Sequence, residues 1–519
     1  MSPLMASPVH QLHFLLVPLM SQSHLIPFMD MAKLLANRGI IVTIVLTPLN
    51  ALRFNKILPH SKASDLQIQF LSMPFPCQEF GLPEGCENLD TLPSLDLSAK
   101  FFEATSALQD PLEKWLEEES QPRPNCLIAD YCLPWTVSVA DKFNIPRVIF
   151  HTISCFTLVC SDKLAHSDTV DNVMSDTEPF LVPNIPHRIE FTLAQLPGAP
   201  SRKKSSNPSF KEAEKTAQGV LVNSFQELET EYVREYQKIV KKVWCIGPVS
   251  LSKQGILPDN ISGNENTDDG KDYCLKWLDS KKPKSVIYAC FGSLCSMLAS
   301  QLKELALGLE SSNRPFIWVI RKGDYSTELK EWLVEENFEE RVRGRGLIVR
   351  GWAPQVPILS HPSTGGFLTH CGWNSTLEGV SAGLPMITWP MFAEQFVNEK
   401  LIVEILKTGV GVGVEKISTH LQKEDKLVTR EDITRAIDKL MDEGEEGEER
   451  RKRAWKVGEM AKSAVEEGGS SYLNMTLFIQ HVIEQVMSQL SSAADIIVSR
   501  EAMDSMHFDI MPALNVVSN

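Results

Sequence analysis

The chain has 519 residues, of which 43% are apolar and 23% charged, and its formal net charge is −15. That length exceeds one ordinary hydrophobic core and predicts two domains of a globular protein. The acidic balance excludes a nucleic-acid binder, which needs a basic surface, and it excludes docking on anionic lipid.

The first element is the apolar run HFLLVPLM at 13–20. No basic leader precedes it and Pro18 breaks it, so it reads as a buried strand and not as a signal peptide. SQS makes a short turn. In HLIPFMDMAKLLANRG, Leu25, Phe28, Met29, Ala32 and Leu35 recur at helical spacing, and Gly39 supplies the stop. IIVTIVLTP follows, continuous and β-branched, as in a strand buried on both faces. This strand–helix–strand start predicts a parallel sheet with right-handed crossovers, to which NCLIADYCLPW and PRVIFHTIS add strands.

The stretch LSKQGILPDNISGNENTDDGKD, rich in Gly, Asn, Asp and Ser, predicts a linker at 251–272. Beyond it SVIYACFGS, ASQLKELALGLESSN and PFIWVIR repeat the strand–helix–strand theme. The expected division is an N-terminal domain over 1–250, a C-terminal domain over 273–470, a helix over 471–488 packing back on the first domain, and a loose tail over 489–519. The charge run DEGEEGEERRKR at 442–453 reads as a solvated helix end. GVGVGV at 409–414 offers Gly-x-Gly but no third spaced glycine opening a helix, so it predicts no dinucleotide site. No run reaches about 18 apolar residues, so no membrane span is expected. The eleven cysteines are scattered, odd in number and without a CxxC pair, which points to reduced thiols and a cytoplasmic setting.

The densest chemistry lies in GWAPQVPILSHPSTGGFLTHCGWNSTLEGVSAGLPMITWPMFAEQF at 351–396. Its middle reads as strand, tight turn and helix: His370 ends the strand, Gly372 allows the turn, and Asn374 or Ser375 caps the helix. Free backbone N–H groups at such a helix start make an anion site. His370, Asn374 and Ser375 add side-chain donors there, which suits a diphosphate. Glu378, one turn further in, suits the hydroxyls of a ribose. Trp352, at a strand end, can stack on a base, worth ~1–3 kcal/mol. Glu394 and Gln395 together accept and donate several hydrogen bonds, as a sugar ring requires.

Trp352 to Gln395 spans 44 residues, opens with Trp-Ala-Pro-Gln, carries His-Cys-Gly-Trp-Asn-Ser at its centre and closes with Glu-Gln. In these features it resembles the signature box of plant secondary-product UDP-glycosyltransferases, and the resemblance extends over residues 10–488. It implies an α/β protein of GT-B fold, two facing Rossmann-like domains with parallel sheets, with the UDP-sugar held mainly by the C-terminal one. Position by position, the resemblance implies that Trp352 stacks on uracil, with Ala353 and Gln355 at the nucleoside. Glu378 would take the ribose hydroxyls. His370, Asn374, Ser375 and Ser293 of the FGS loop would take the phosphates, and Trp373, Glu394 and Gln395 the sugar. The family often has Asp where Glu394 stands. Glutamine at 395 resembles the glucose users of the family, so UDP-glucose is the expected donor.

In the N-terminal half, PLMSQSHLIPF resembles the segment that carries the family's catalytic histidine, here His24, and LIADYCLPW the segment of its partner aspartate, here Asp130. An acceptor hydroxyl is a poor nucleophile, and an imidazole can take its proton at neutral pH. A carboxylate on the other ring nitrogen fixes the tautomer. Displacement at the anomeric carbon would invert it, from an α-linked donor to a β-glycoside. No cofactor or metal is expected, the helix N-terminus and His370 serving the leaving diphosphate instead. His151, in VIFHTIS, either lines the acceptor pocket or sits as a satisfied core histidine. GCENLD at 85–90 and PHRIEFTLAQLPG at 186–198 resemble a plant subgroup that glucosylates flavonoids, other phenolics, triterpenoid sapogenins and steroids. The expected partners are therefore UDP-glucose and a small lipophilic hydroxylated acceptor, with the protein a monomer. Two rival functions remain: a nucleotide-sugar epimerase on a similar frame, and a non-catalytic nucleotide-sugar-binding protein, against which a His24–Asp130 pair would speak.

Overall fold

The structure is a computed structural model that describes residues 11–54, 66–118, 122–197, 208–251, 268–417 and 427–488. Most of the expected linker and all of the expected tail after 488 lie outside the described residues. A helix, Asp268–Asp279, begins inside the range assigned to the linker.

The first sheet has seven strands: β1 (His13–Val17), β2 (Ile41–Leu46), β3 (Ile68–Ser72), β4 (Cys126–Asp130), β5 (Arg147–His151), β8 (Val220–Val222) and β9 (Val243–Cys245). Between β5 and β8, β6 (Phe180–Leu181) and β7 (Glu190–Phe191) form a small antiparallel ribbon. The strand order is β3-β2-β1-β4-β5-β8-β9, and every pair in it is parallel. The continuous apolar runs have the expected consequence: β1 and β4 are buried at all their residues, because crossover helices cover both faces. One of those helices, Gln22–Ala36, turns Leu25, Phe28, Met29, Ala32 and Leu35 inward at the spacing read from sequence, and it holds Pro27 inside its second turn.

The second sheet contains β10 (Val286–Cys290), β11 (Phe316–Ile320), β12 (Gly346–Arg350), β13 (Thr364–Thr369), β14 (Met386–Thr388) and β15 (Gly409–Gly411). Its order is β12-β11-β10-β13-β14-β15, again parallel throughout. GVGVGV thus supplies an edge strand. The charge run at 442–453 covers the three residues before the long helix Glu445–Val465 and its first nine.

Residues 470–488 form a helix that lies on the first sheet. Phe478 packs edge-on to Phe14 and beside Trp244, Arg38 donates to Thr476 at 2.9 Å, and Asn474 donates to the Cys245 carbonyl at 3.0 Å. Strand order reverses between β1 and β4 in one sheet and between β10 and β13 in the other. In open α/β sheets ligands bind beyond the carboxyl ends of the strands at such switch points. Here the two switch points face each other, which is the GT-B arrangement. No helix among the described residues is long and apolar enough to cross a membrane.

Candidate active site

The loop after β1 delivers His24 in the first turn of its helix, and β4 ends on Asp130. Strand pairing β1–β4 therefore brings two residues 106 positions apart into contact: His24 Nδ1 lies 2.7 Å from Asp130 Oδ2. The backbone N–H of Cys132 donates to the other carboxylate oxygen at 3.0 Å, and Thr152 Oγ1 sits 3.4 Å from His24 Nδ1. The His24 side chain is 22% exposed and that of Asp130 1%. So the carboxylate is sealed beneath the ring while Nε2 faces the cleft. Burial works against a charged imidazole, but the Asp130 charge and hydrogen bond, with help from Glu394, outweigh it and raise the His24 pKa above 6.5. Burial alone would raise Asp130; His24 and the N–H groups of Cys132 and Leu19 hold it below the ordinary carboxylate range instead.

Across the cleft, the helix Trp373–Ser381 starts at Gly372 without any side-chain cap. The expected capping by Asn374 or Ser375 does not occur, because the cap position falls on Gly372 and both residues lie inside the helix. Ser375 Oγ accepts from the Gln355 amide at 3.1 Å, and Asn374 Nδ2 donates to the Ser23 carbonyl of the opposite domain at 2.6 Å. No side chain caps the N–H groups of Asn374 and Ser375, which leaves these two for an anion, while the Trp373 N–H goes to Glu394.

His370 stands beside them, wedged between two glycines. A Cβ on Gly292 would lie 2.5 Å from His370 Cε1, and one on Gly372 2.4 Å from Nε2. Burial, with the Arg321 charge behind it, pushes the His370 pKa down to about 4. At neutral pH the ring therefore acts as an N–H donor and not as a cation. Nine buried side-chain polar atoms lack a partner among the described residues, and two of them, His370 Nδ1 and Asn374 Oδ1, lie at this helix start. Orphaned buried polar atoms cost free energy, and such a pair marks where a ligand completes the network.

The end of the cleft expected to take the nucleoside is built around Gln355. Its amide donates to Glu378 Oε2 at 2.7 Å and its oxygen accepts from Tyr288 at 3.3 Å. Burial, opposed by Gln355 and reinforced by Asp30 of the facing domain, lifts the Glu378 carboxyl to about 7. Trp352 is half-buried near the start of the loop after β12, while Ala353 is buried.

Three expected sugar contacts take different forms. Glu394 accepts from the Trp373 backbone N–H, and burial raises its pKa. The Trp373 side chain is 2% exposed, and its indole N–H donates to the Asn223 carbonyl at 2.7 Å, so the ring serves the domain interface. Gln395 is buried as well: its oxygen accepts from the backbone N–H groups of Met391 at 2.8 Å and Phe392 at 3.1 Å. It shapes the loop beside the site.

Ser293 lies exposed after β10 with its carbonyl held by Arg321, a residue that sequence reasoning missed. Arg321 also pairs with Asp324 at 3.2 Å, and Asp324 accepts from Ser296 at 3.0 Å, so this pair after β11 grips the loop at both ends. The only signal in the sequence was a charged residue directly after an apolar strand. His151 is the satisfied core histidine of the two alternatives: it is 2% exposed and bonds Glu214 at 2.5 Å. GCENLD braces the approach to His24. Leu89 donates to the Met20 carbonyl at 3.0 Å, and Asp90 holds Arg53 through two bonds of 2.7 and 3.0 Å.

A family model described as UDP-glucoronosyl and UDP-glucosyl transferase matches residues 123–445. UDP-glycosyltransferase 73C3 of Arabidopsis thaliana is 51% identical over 481 residues, which cover 91% of this chain and 96% of that protein. The crystal structure of Glycyrrhiza uralensis UGT73P12 with glycyrrhetinic acid 3-O-monoglucuronide is similar at a TM-score of 0.86 and 36% identity, covering 95% of this chain and 100% of that one. Medicago truncatula UGT71G1, solved with UDP-glucose, is similar at a TM-score of 0.71 and 26% identity, covering 91% and 98%.

Proposed function

The chain belongs to the UDP-glucoronosyl and UDP-glucosyl transferase family, and from that premise we propose that it moves glucose from UDP-glucose to a hydroxyl of a small lipophilic plant metabolite, a flavonoid or other phenolic, a triterpenoid sapogenin or a steroid, with inversion to a β-glucoside. The observation that carries this reading is the His24–Asp130 pair at 2.7 Å, facing an uncapped helix start across the cleft. As the acceptor oxygen bonds to the anomeric carbon, His24 Nε2 takes its proton. The bond from that carbon to the diphosphate oxygen breaks on the opposite face, and UDP leaves with the electron pair. Asp130 keeps Nδ1 protonated and stabilises the imidazolium.

The N–H groups of Asn374 and Ser375, at a helix start that carries about half a positive charge, would with the N–H of His370 hold the departing diphosphate without a metal. Gln355, Ser375 and Glu378 form a ready acceptor and donor set for the ribose, with Trp352 for the uracil. Glucose as the sugar rests on Gln395 and on the UDP-glucose in the Medicago relative. Monomeric state and a cytoplasmic setting belong to the same reading. Neither epimerisation nor passive binding is favoured. The relatives are transferases by name, and a pre-paired base has no use in a carrier.

The test is direct. The purified protein, UDP-glucose and a panel of phenolic, sapogenin and steroid acceptors should give products heavier by one hexose, with a β-linkage by NMR coupling. Absence of product across the panel, or undiminished product from His24→Ala, refutes the reading.

A further inference from the structure

The helix that carries His24 contains a buried proline in its interior. Pro27 is the sixth residue of the helix Gln22–Ala36. A helical N–H bonds the carbonyl four residues back, and proline has none; its ring also pushes that carbonyl away from the axis. The carbonyl four residues before Pro27 is that of Ser23, the neighbour of His24. This is the carbonyl that Asn374 reaches from the other domain, at 2.6 Å.

Asn374 is the second residue of the uncapped helix at the diphosphate site. Its amide thus ties the start of the donor helix to the start of the base helix. The same first turn supplies Trp373, whose indole grips the Asn223 carbonyl. Both bonds run from side-chain N–H donors to backbone carbonyls, so both fix main chain against main chain across the cleft.

We propose that Pro27 is a positioning residue for the reaction: by leaving the Ser23 carbonyl unbonded within its helix, it gives Asn374 the acceptor that sets His24 against the donor. The inference rests on His24 as the base. An alanine at 27 restores the missing N–H and draws the Ser23 carbonyl back toward the helix axis. The helix becomes better and the hook worse. Stability and turnover should therefore move apart, which a merely structural role for Pro27 would not produce.

In Pro27→Ala the thermal midpoint should be unchanged or higher and UDP affinity within about two-fold of wild type, while kcat falls about ten-fold, the scale expected when a small misplacement weakens a proton transfer. Pro27→Ser, which also restores the N–H, should behave alike. In an Asn374→Ala background the hook is already gone, so adding Pro27→Ala should lower kcat no further. Wild-type kcat in both Pro27 variants overturns the proposal. So does a loss that is fully additive with Asn374→Ala, or one that merely tracks a fallen thermal midpoint. His24→Ala, assayed alongside, separates the two readings: if it stays active, the base assignment fails. If it is dead while Pro27→Ala is unaffected, only the positioning role fails.

Discussion

Gly292→Ala places one methyl group against His370. Two costs follow from the geometry. Gly292 has φ +70°, a left-handed conformation that costs an L-residue roughly 1–2 kcal/mol. The methyl would stand 2.5 Å from His370 Cε1, too close for any real contact, so the ring must swing away. A displaced ring cannot donate to a phosphate, and a hydrogen bond to a charged group is worth about 1.5–3 kcal/mol. UDP affinity should then fall about 12- to 150-fold. Gly372→Ala supplies the control. Its φ of −59° and ψ of 141° suit any residue, and only the ring contact at 2.4 Å from Nε2 remains. It should lose UDP affinity on the same scale with a smaller drop in thermal midpoint. Calorimetric titration with UDP, beside thermal unfolding of both variants, measures the two costs separately. UDP affinity within two-fold of wild type in both variants would show that the wedged ring does not touch the diphosphate.

His24→Ala should cut kcat by roughly 100- to 10,000-fold, the worth of a positioned base, and leave UDP affinity intact by calorimetry. The base must be neutral to act, so the acid limb of kcat/KM should lie above pH 6.5, because Asp130 raises the His24 pKa. Asp130→Asn leaves burial as the main influence, and the limb should move to lower pH as the plateau drops; a limb that stays or rises contradicts the pairing. Turnover should survive excess EDTA, and its loss with recovery on adding magnesium would rule out the metal-free scheme. Gln395→Ala frees the N–H groups of Met391 and Phe392, so KM for UDP-glucose should rise more than the Kd of UDP; equal changes would mean that the loop does not shape the sugar site.

Much of the fold is legible in the sequence alone. Continuous apolar runs such as FLLV and CLIA read as strands buried on both faces, and the Gly-Trp-Asn-Ser turn reads as opening a helix. What pairs with what across the cleft was not legible. Trp373, Asn374 and Gln395 are polar side chains in a donor box, and their residue types favour a ligand contact and a structural hydrogen bond equally. Only the fold shows that Asn223, Ser23 and the loop at 391–392 stand in reach. Arg321 and the Arg53–Asp90 brace were missed for the same reason: their partners lie 28 and 37 residues away, and charge alone does not name a partner. Asn374 and Ser375 were misread as caps because the helix begins earlier than their residue types suggest, with Gly372 at the cap position.

The helix over 470–488 also constrains how the protein is made. Its Phe478 and Val482 are fully buried against the first sheet, so the core of the N-terminal domain includes residues from the far end of the chain. The second sheet and its helices form one continuous stretch from 268 to 465, interrupted only between 417 and 427 in the described residues. During synthesis that stretch can close its own core while the earlier domain still exposes the surface around Phe14 and Trp244. The domain made first is therefore the domain finished last. A chain cut before residue 470 would hold a complete donor half beside an unsealed acceptor half, open to chaperones and proteases at its first strand.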